Sequence, residues 1–403
     1  MDGTRLIPLQ PYKFMKNLLI LFVVLPLFSW SQTSNPFAAV DAVVDKMPDS
    51  LCNSTEKIAT YIRQQFPREE DKIRAVFYWT ASHIRYDIDN MFAINFNEKS
   101  QDKIDKALKT KLGVCIHYAE VFNDIAVKSK LTSRVITGYT KQNGKTDFIP
   151  HAWCGVKLNS TWYVFDPTWG AGYVSNEKFV KKINNAYYKV DPEKMIATHM
   201  PFDYLWQFKS NPITPDEFLK GKPNPTATNM NLDINAAIET FEQQDELQQL
   251  ESTAARVEQQ GVKNAMIFDF LSNRKVEIEN YKRRQLAGSL NEGVAKYNEA
   301  TKLYNLFIGY RNEQFKPTKP DNEIKQMIDE PKQKLLTAQN TFNRLGNVDA
   351  EDKAQVVSIQ QSIEELMKLI LEQEEFVKTY LSKNKAGRKS MFYKVTMWGI
   401  PIN

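Results

Sequence analysis

The sequence contains few of the residues that build metal sites and disulfides. Of its 403 residues only three are cysteines (Cys52, Cys115 and Cys154) and four are histidines. No two cysteines have the Cys-x-x-Cys spacing of a zinc site, so the pattern predicts no metal and no cofactor. An odd number of cysteines leaves at least one free thiol in a monomer. For Cys154, a disulfide with Cys52 and a buried free thiol are both open.

The excess of one charge sign over the other is also small. The 53 basic and 48 acidic residues leave a net charge of +5, and opposite signs mostly alternate along the helical segments. We find no basic cluster interleaved with aromatic residues, which nucleic-acid binding would require. We therefore expect no nucleic-acid partner.

No apolar run has the length of a comfortable membrane span. The longest near the beginning, Leu18–Phe28, follows Lys16 and is followed by small serines. This pattern predicts a cleaved secretory signal within residues 1–32, with an extension upstream of Met15, and a secreted or periplasmic protein without a membrane span after cleavage. An N-terminal membrane anchor is the alternative.

The C-terminal half lacks histidine, cysteine and nearly all strand signal. Prolines mark a linker at 211–228, which separates a domain over 33–210 from a helical domain over 229–385 and a tail over 386–403. We expect few contacts across the linker and independent folding of the helical half, as a structural bundle or a surface that docks a protein partner. Its last helix has apolar steps of four and three residues, as in a bundle or coiled-coil seam. The predicted helices lie near 233–260, 262–283, 286–314, 321–345 and 350–383.

Three ordered motifs carry the chemistry. They are Gly-Val-Cys-Ile-His-Tyr-Ala at Gly113–Ala119, His-Ala-Trp-Cys at His151–Cys154 and Phe-Asp-Pro-Thr-Trp-Gly at Phe165–Gly170. The apolar spacing after Val114 predicts a helix to Lys128. Cys115 would lie in its first turn, where unpaired backbone N–H groups favour a thiolate.

Strand alternation predicts where the histidine and the aspartate lie. His151–Leu158 and Trp162–Asp166 form a hairpin around Asn159-Ser160, with Ala152 and Cys154 on the apolar face. His151 and Asp166 then share the opposite face as diagonal neighbours, about 7–8 Å apart at the backbone. The expected register pairs Val156 with Tyr163, Trp153 with Asp166 and His151 with Thr168.

A cysteine, a histidine and an aspartate in this order suit nucleophilic catalysis. The thiol attacks, the imidazole carries the proton, and the carboxylate orients the imidazole. On these motifs, with Gly138-Tyr139 between them, residues 50–215 resemble the transglutaminase-like superfamily of papain-like fold. Arg74–Asp87 and Tyr187–Trp206 resemble the branch that includes kyphoscoliosis-peptidase and cytokinesis-protein relatives, here as an exported, bacterial-type member with a helical region.

The resemblance implies an α+β core, with the nucleophile helix packed on an antiparallel sheet, and Cys115, His151 and Asp166 as catalytic residues. The implied substrate is a protein or peptide. Peptidase or amidase activity and acyl transfer to an amine proceed through the same thioester intermediate, so the sequence leaves both reactions open. A non-catalytic binding module with a helical docking domain is the alternative. Trp79 is a candidate oxyanion donor or a plain core tryptophan. His117 is assigned to the cleft edge or to structure, and His199 to no chemistry.

Overall fold

The computed structural model describes residues 35–222, 230–345, 348, 350–395 and 401–402. The predicted signal and part of the predicted linker therefore lie outside the described residues. The helices are α1 (Ala38–Val44), α2 (Thr55–Gln65), α3 (Glu69–His83), α4 (Ser100–Thr110), α5 (Cys115–Lys128), α6 (Pro167–Ala171), α7 (Pro192–Met195), α8 (Pro215–Lys220), α9 (Ile234–Glu242), α10 (Glu246–Gln260), α11 (Ala265–Asn312), α12 (Asp321–Asn343), α13 (Ala350–Ser382) and α14 (Lys385–Ser390). The strands are β1 (Arg85–Tyr86), β2 (Leu112–Gly113), β3 (Thr132–Gln142), β4 (Lys145–Leu158), β5 (Thr161–Phe165), β6 (Gly172–Ser175), β7 (Lys178–Lys181), β8 (His199–Pro201), β9 (Lys394–Val395) and β10 (Pro401–Ile402).

The central sheet has the strand order β5-β4-β3-β8, and every pair is antiparallel. β4 and β5 pair with Val156 opposite Tyr163, as predicted, and both residues of the Asn159-Ser160 turn have positive φ. The predicted pairing of His151 with Thr168 is wrong. The ladder ends at Phe165 because the chain turns into α6 at the next residue.

Helix α5 lies at the centre of the first core. Its sequence is apolar on nearly every side, which is typical of a helix enclosed by other elements. It packs against α2, α3 and α4 on one side and against β3 and β4 on the other. Ala152 and Cys154 face this core, as the strand alternation predicts. The architecture is an α+β core followed by a largely helical region.

The opposite face of the sheet packs against the helices that follow. Trp153 and Trp162 share one buried cluster with Ile238 and Phe241 of α9. Tyr139, Met200 and Phe202 share a second cluster with residues of α10 and α11, and the rings of Phe202 and Phe270 stack at 4.7 Å. The expectation that few contacts cross the linker is therefore wrong, because the exposed apolar face of the sheet requires a cover. The boundary at 211–228 stays a prediction about sequence.

The C-terminal part of α11 belongs to a separate core. There α11, α12 and α13 pack around Phe307, Leu335 and Ile370. The two helices predicted for 262–283 and 286–314 are one helix, α11. Gly288 lies within it, because an isolated glycine costs a helix only about 1 kcal/mol. Among the described residues, no helix combines the length and the apolar character needed to cross a membrane.

A buried ion pair joins the two parts of the chain. Asp203 follows β8, and its carboxylate accepts hydrogen bonds from Nε and Nη2 of Arg256 on α10, at 2.8 and 2.7 Å. The Asp203 side chain is 2 % exposed and that of Arg256 is 15 % exposed. Removal of the arginine would leave a carboxylate buried without its partner.

We therefore expect Arg256→Met to lower the free energy of unfolding by about 3–5 kcal/mol, the usual effect of breaking a buried pair. Arg68→Met is the matched control, because Arg68 makes the same two-bond contact with Asp71 on the surface. Thermal unfolding should show a clear loss for Arg256→Met and little change for Arg68→Met. Equal melting temperatures for the two variants would mean that the interface does not depend on this pair.

Candidate active site

Asp166 lies between β5 and α6, as the N-cap residue of α6. Its Oδ1 accepts hydrogen bonds from the backbone N–H groups of Thr168 and Trp169, at 2.8 and 3.1 Å. This is the usual N-cap arrangement, and Pro167 at the first helical position suits it because proline has no N–H to satisfy. The turn fixes the carboxylate, and the side chain is fully buried.

His151 lies on β4, opposite Gly138 of β3. Its Nε2 lies 2.8 Å from Oδ2 of Asp166, and its side chain is 10 % exposed. Its ring lies beside those of Trp153 and Trp169, with centroids at 6.0 and 5.5 Å. The structure thus brings His151 and Asp166 into direct contact, although Asp166 lies just beyond the strand ladder.

Cys115 is the first residue of α5, and its side chain lies near enough to the His151 imidazole to help raise the pKa of that ring. Asp166 occupies Nε2 of His151, so Nδ1 is the nitrogen left to serve Cys115. His117 caps the same helix, since its Nδ1 accepts a hydrogen bond from the Val114 backbone N–H at 3.3 Å. His117 therefore has the structural role that was one of the two expected for it.

The electrostatics favour an ion pair between the imidazole and its neighbours. Burial lowers the pKa of His151, but the charge of Asp166, its hydrogen bond to the ring and the nearby Cys115 side chain outweigh burial and raise that pKa to about 10. Burial also opposes the charge on Asp166, but His151 and His199 hold the pKa of its carboxyl below the usual range. At neutral pH an imidazolium beside Cys115 would stabilise a thiolate.

Sequence reasoning missed two residues of the site. His199 on β8 contacts Asp166, with its Nε2 3.1 Å from Oδ2. Tyr86 on β1 pairs with Gly113, two residues before Cys115, and lines the same cleft as His151. Burial and the nearby charges of Cys115 and Asp166 raise the pKa of the Tyr86 hydroxyl. No local pattern marks His199, because β8 reaches the site through its pairing with β3.

Spacing alone would also let this group hold a metal ion. One ligand atom each from His151, Asp166 and His199 lies within 4.8 Å of the other two. The direct N–H···O contacts at 2.8 and 3.1 Å account for the same spacing. We therefore treat the group as a hydrogen-bonded cluster.

The other two cysteines and Trp79 lie in the core. All three cysteines are free thiols, and Cys154 donates a hydrogen bond to the Ala119 carbonyl at 3.3 Å. Burial raises the pKa of the Cys154 thiol. Trp79 is fully buried and its ring stacks on that of His83 at 4.6 Å. The structure thus favours a free thiol at Cys154 and a core role for Trp79.

A cleft of about 650 Å³ opens at His151. One side is formed by Thr168, Trp169 and the β6–β7 hairpin, and another by Tyr86 and Met91. Cys115 itself is only 2 % exposed, so the cleft reaches the imidazole while the neighbouring residues nearly cover the sulfur. Such a cleft can receive a substrate next to the imidazole.

Comparison with known proteins places the domain in a family. Residues 56–167 match the sequence model described as the transglutaminase-like superfamily, so the chain carries a transglutaminase-like domain. The matched range includes Cys115, His151 and Asp166.

Individual relatives share only part of their length with this chain. Kyphoscoliosis peptidase of Mus musculus is 25 % identical over 205 residues, which are 47 % of this chain and 31 % of that protein. The protein of the same name from Homo sapiens is 27 % identical over 171 residues, 40 % of this chain and 25 % of that protein. The chain thus spans less than a third of the length of these relatives. The crystal structure of the periplasmic domain of TgpA from Pseudomonas aeruginosa is 21 % identical and covers 33 % of this chain and 48 % of its own, with a TM-score of 0.24.

The geometry predicts how thiol reactivity depends on pH. An ordinary thiol loses alkylation rate about tenfold per pH unit below its pKa, whereas a thiolate paired with an imidazolium stays reactive. Because the pKa of His151 is raised, the imidazolium persists through neutral pH, and iodoacetamide should label Cys115 at similar rates from pH 6 to pH 8. Asp166→Asn removes the charge that raises that pKa, so labelling should then fall steeply towards pH 6.

Cys154 is the internal control for this measurement, because it is fully buried and its pKa is raised. Peptide mapping should find it unlabelled in the folded protein. Faster labelling of Cys154 than of Cys115 would contradict the assignment of the reactive thiol.

Proposed function

We propose that the protein is a Cys-His-Asp enzyme that cleaves amide bonds through a thioester. The Cys115 thiolate attacks the amide carbonyl, and the C–N bond breaks as the His151 imidazolium gives its proton to the leaving amine. Asp166 orients the imidazole and stabilises its charged form. The observation that carries this proposal is the direct contact of His151 with Asp166, with Cys115 near enough to help raise the pKa of the same imidazole.

The developing oxyanion needs hydrogen-bond donors, which the first turn of α5 can supply. Backbone N–H groups at a helix start have no partner within the helix, and the N–H of Cys115 lies at that position. We assign a supporting role to the Tyr86 hydroxyl. Tyr86 lines the cleft, and burial and the nearby charges of Cys115 and Asp166 raise the pKa of its hydroxyl.

The rim of the cleft supports a polypeptide substrate with a bulky apolar side chain. Phe92 follows Met91, which lines the cleft, and Phe148 lies on β4 three residues before His151. These two side chains are 68 % and 81 % exposed, and their rings stack on each other at 6.4 Å. Tyr173 and Val174 of β6 are also exposed and line the cleft. Among the described strands β6 pairs only with β7, so an extended chain can pair with its outer edge.

Hydrolysis and transfer to an amine differ only in the group that resolves the thioester. Water is the default acceptor, because it is present at bulk concentration. Export through the signal expected in residues 1–32 is part of the proposal, and so is a protein partner for the helical region. A binding module on the same fold is the second candidate, and it would retain its ligand after loss of Cys115.

Denatured total cell protein, supplied with a fluorescent primary amine, separates the activities in one assay. A peptidase produces new amino termini, an amidase releases ammonia, and a transglutaminase incorporates the amine. We expect at least one product from the native chain and none from Cys115→Ala, because no other described thiol contacts His151. Equal products from both chains, or none from either, would favour the binding module.

We expect the Phe92→Ser, Phe148→Ser double variant to bind its substrate more weakly. Loss of two aromatic contacts should raise KM about tenfold or more while kcat changes little, because neither ring touches the reacting atoms. Phe268→Ser is the matched control, since Phe268 is 60 % exposed on α11 and none of its neighbours in sequence lines the cleft. An unchanged KM in the double variant would remove the rim from the substrate site.

A further inference from the structure

The carboxylate of Asp166 contacts two imidazoles, and the proposed mechanism uses only one. Both contacts are made with Oδ2, at 2.8 Å from Nε2 of His151 and at 3.1 Å from Nε2 of His199. The His199 side chain, like that of Asp166, is fully buried. A second imidazole at this position therefore requires an explanation beyond ordinary packing.

The proton positions on His199 follow from its neighbours. Asp166 is ionised, so a nitrogen 3.1 Å from its oxygen must carry the hydrogen. Burial lowers the pKa of His199 and keeps the ring neutral, which leaves Nδ1 as an acceptor. The Thr198 hydroxyl lies 2.8 Å from Nδ1 and 3.3 Å from the Met195 carbonyl oxygen, and with Nδ1 unprotonated we assign its hydrogen to the shorter contact. Every polar atom of the ring is thus satisfied in one tautomer.

The ring is also held in place by aromatic neighbours. Trp153 and Trp169 meet it edge to face, with centroid distances of 5.1 and 4.6 Å. His199 cannot swing away from Asp166 without displacing one of these indoles. The hydrogen bond is therefore a fixed part of the site.

We propose that His199 is a positioning residue, which acts through Asp166 to keep His151 charged and correctly oriented toward Cys115. This inference rests on the proposed function of Cys115, His151 and Asp166. Oδ1 of Asp166 is bonded by two backbone N–H groups and Oδ2 by two imidazoles, so a fully buried carboxylate has four donors. Hydrogen bonds to the charged form favour that form.

Two opposing effects follow if His199 is replaced by an apolar residue. The Asp166 charge would act on His151 alone, which strengthens that one contact. The same carboxylate would lose one of its hydrogen-bond donors, which favours protonation of Asp166. Since the Asp166 side chain has no exposed surface at which water could replace this donor, we expect the second effect to dominate. His151 would then lose the charge that keeps it protonated.

The titratable groups around His199 come from several elements. His151 and Asp166 lie in contact with it, and its ring centroid is 6.2 Å from that of Tyr187. The charge of Asp147, on the first part of β4, tends to raise the pKa of His199. Burial outweighs both carboxylates, so the pKa of His199 lies below its usual value and the ring is neutral at neutral pH.

Alkylation of Cys115 by iodoacetamide between pH 5 and pH 9 tests the inference without a known substrate. His199→Leu should lose at least tenfold in rate at pH 6, with the midpoint of the profile raised by about one pH unit. His199→Gln places an amide N–H near the position of Nε2, so its rate should stay within about threefold of the native one. His83→Leu is the matched control, because His83 stacks on Trp79 away from Asp166, and its profile should be unchanged.

Each outcome decides a different point. A native pH profile in His199→Leu would reduce His199 to a packing residue and overturn the inference, while the proposed function would stand. A native Cys115 that reacts no faster than Cys154 would instead overturn the proposed function. Equal losses in His199→Gln and His199→Leu, at unchanged melting temperatures, would also overturn the inference.

Should the His199→Leu chain fail to fold, His199→Asn replaces it, because its shorter amide cannot reach Asp166. The Gln variant should then outperform the Asn variant at pH 6 by about tenfold. Equal rates for these two variants would overturn the inference.

Discussion

The site depends on a carboxylate that stays charged without contact with water. Asp166 is fully buried, and an isolated ionised group in such a place would become protonated. Its charge persists because two backbone N–H groups and two imidazoles donate to it. The ionised carboxylate raises the pKa of His151, and the resulting imidazolium favours a thiolate at the neighbouring Cys115.

The strand order brings these donors together from distant parts of the chain. β4 carries His151, β5 leads into the turn at Asp166, and β8 carries His199 on the far side of β3. β3 and β8 approach closely at Gly138, where a Cβ atom would lie 2.1 Å from the Met200 carbonyl oxygen and 2.6 Å from the Trp153 ring. Only glycine at this position lets β8 come near enough for His199 to reach Asp166.

Local patterns predict the parts of the site that neighbours in sequence determine. Strand alternation and a two-residue turn are short-range features, so the register of Val156 with Tyr163 could be predicted from the sequence. His199 could not be, because its role comes from a non-local strand pairing with β3. The continuity of α11 was missed for a related reason, since tertiary packing along its length outweighs the weak preference of Gly288.

The composition change near residue 211 marks a change of secondary structure, and packing continues across it. α9, α10 and α11 cover the face of the sheet opposite α5, and the Arg256 side chain binds Asp203 four residues after His199. The ion pair and the stacked rings of Phe202 and Phe270 therefore fix the segment that follows β8. Since β8 carries a donor to Asp166, the first helices of the C-terminal half contribute to the rigidity of the Asp166 carboxylate without contacting it directly.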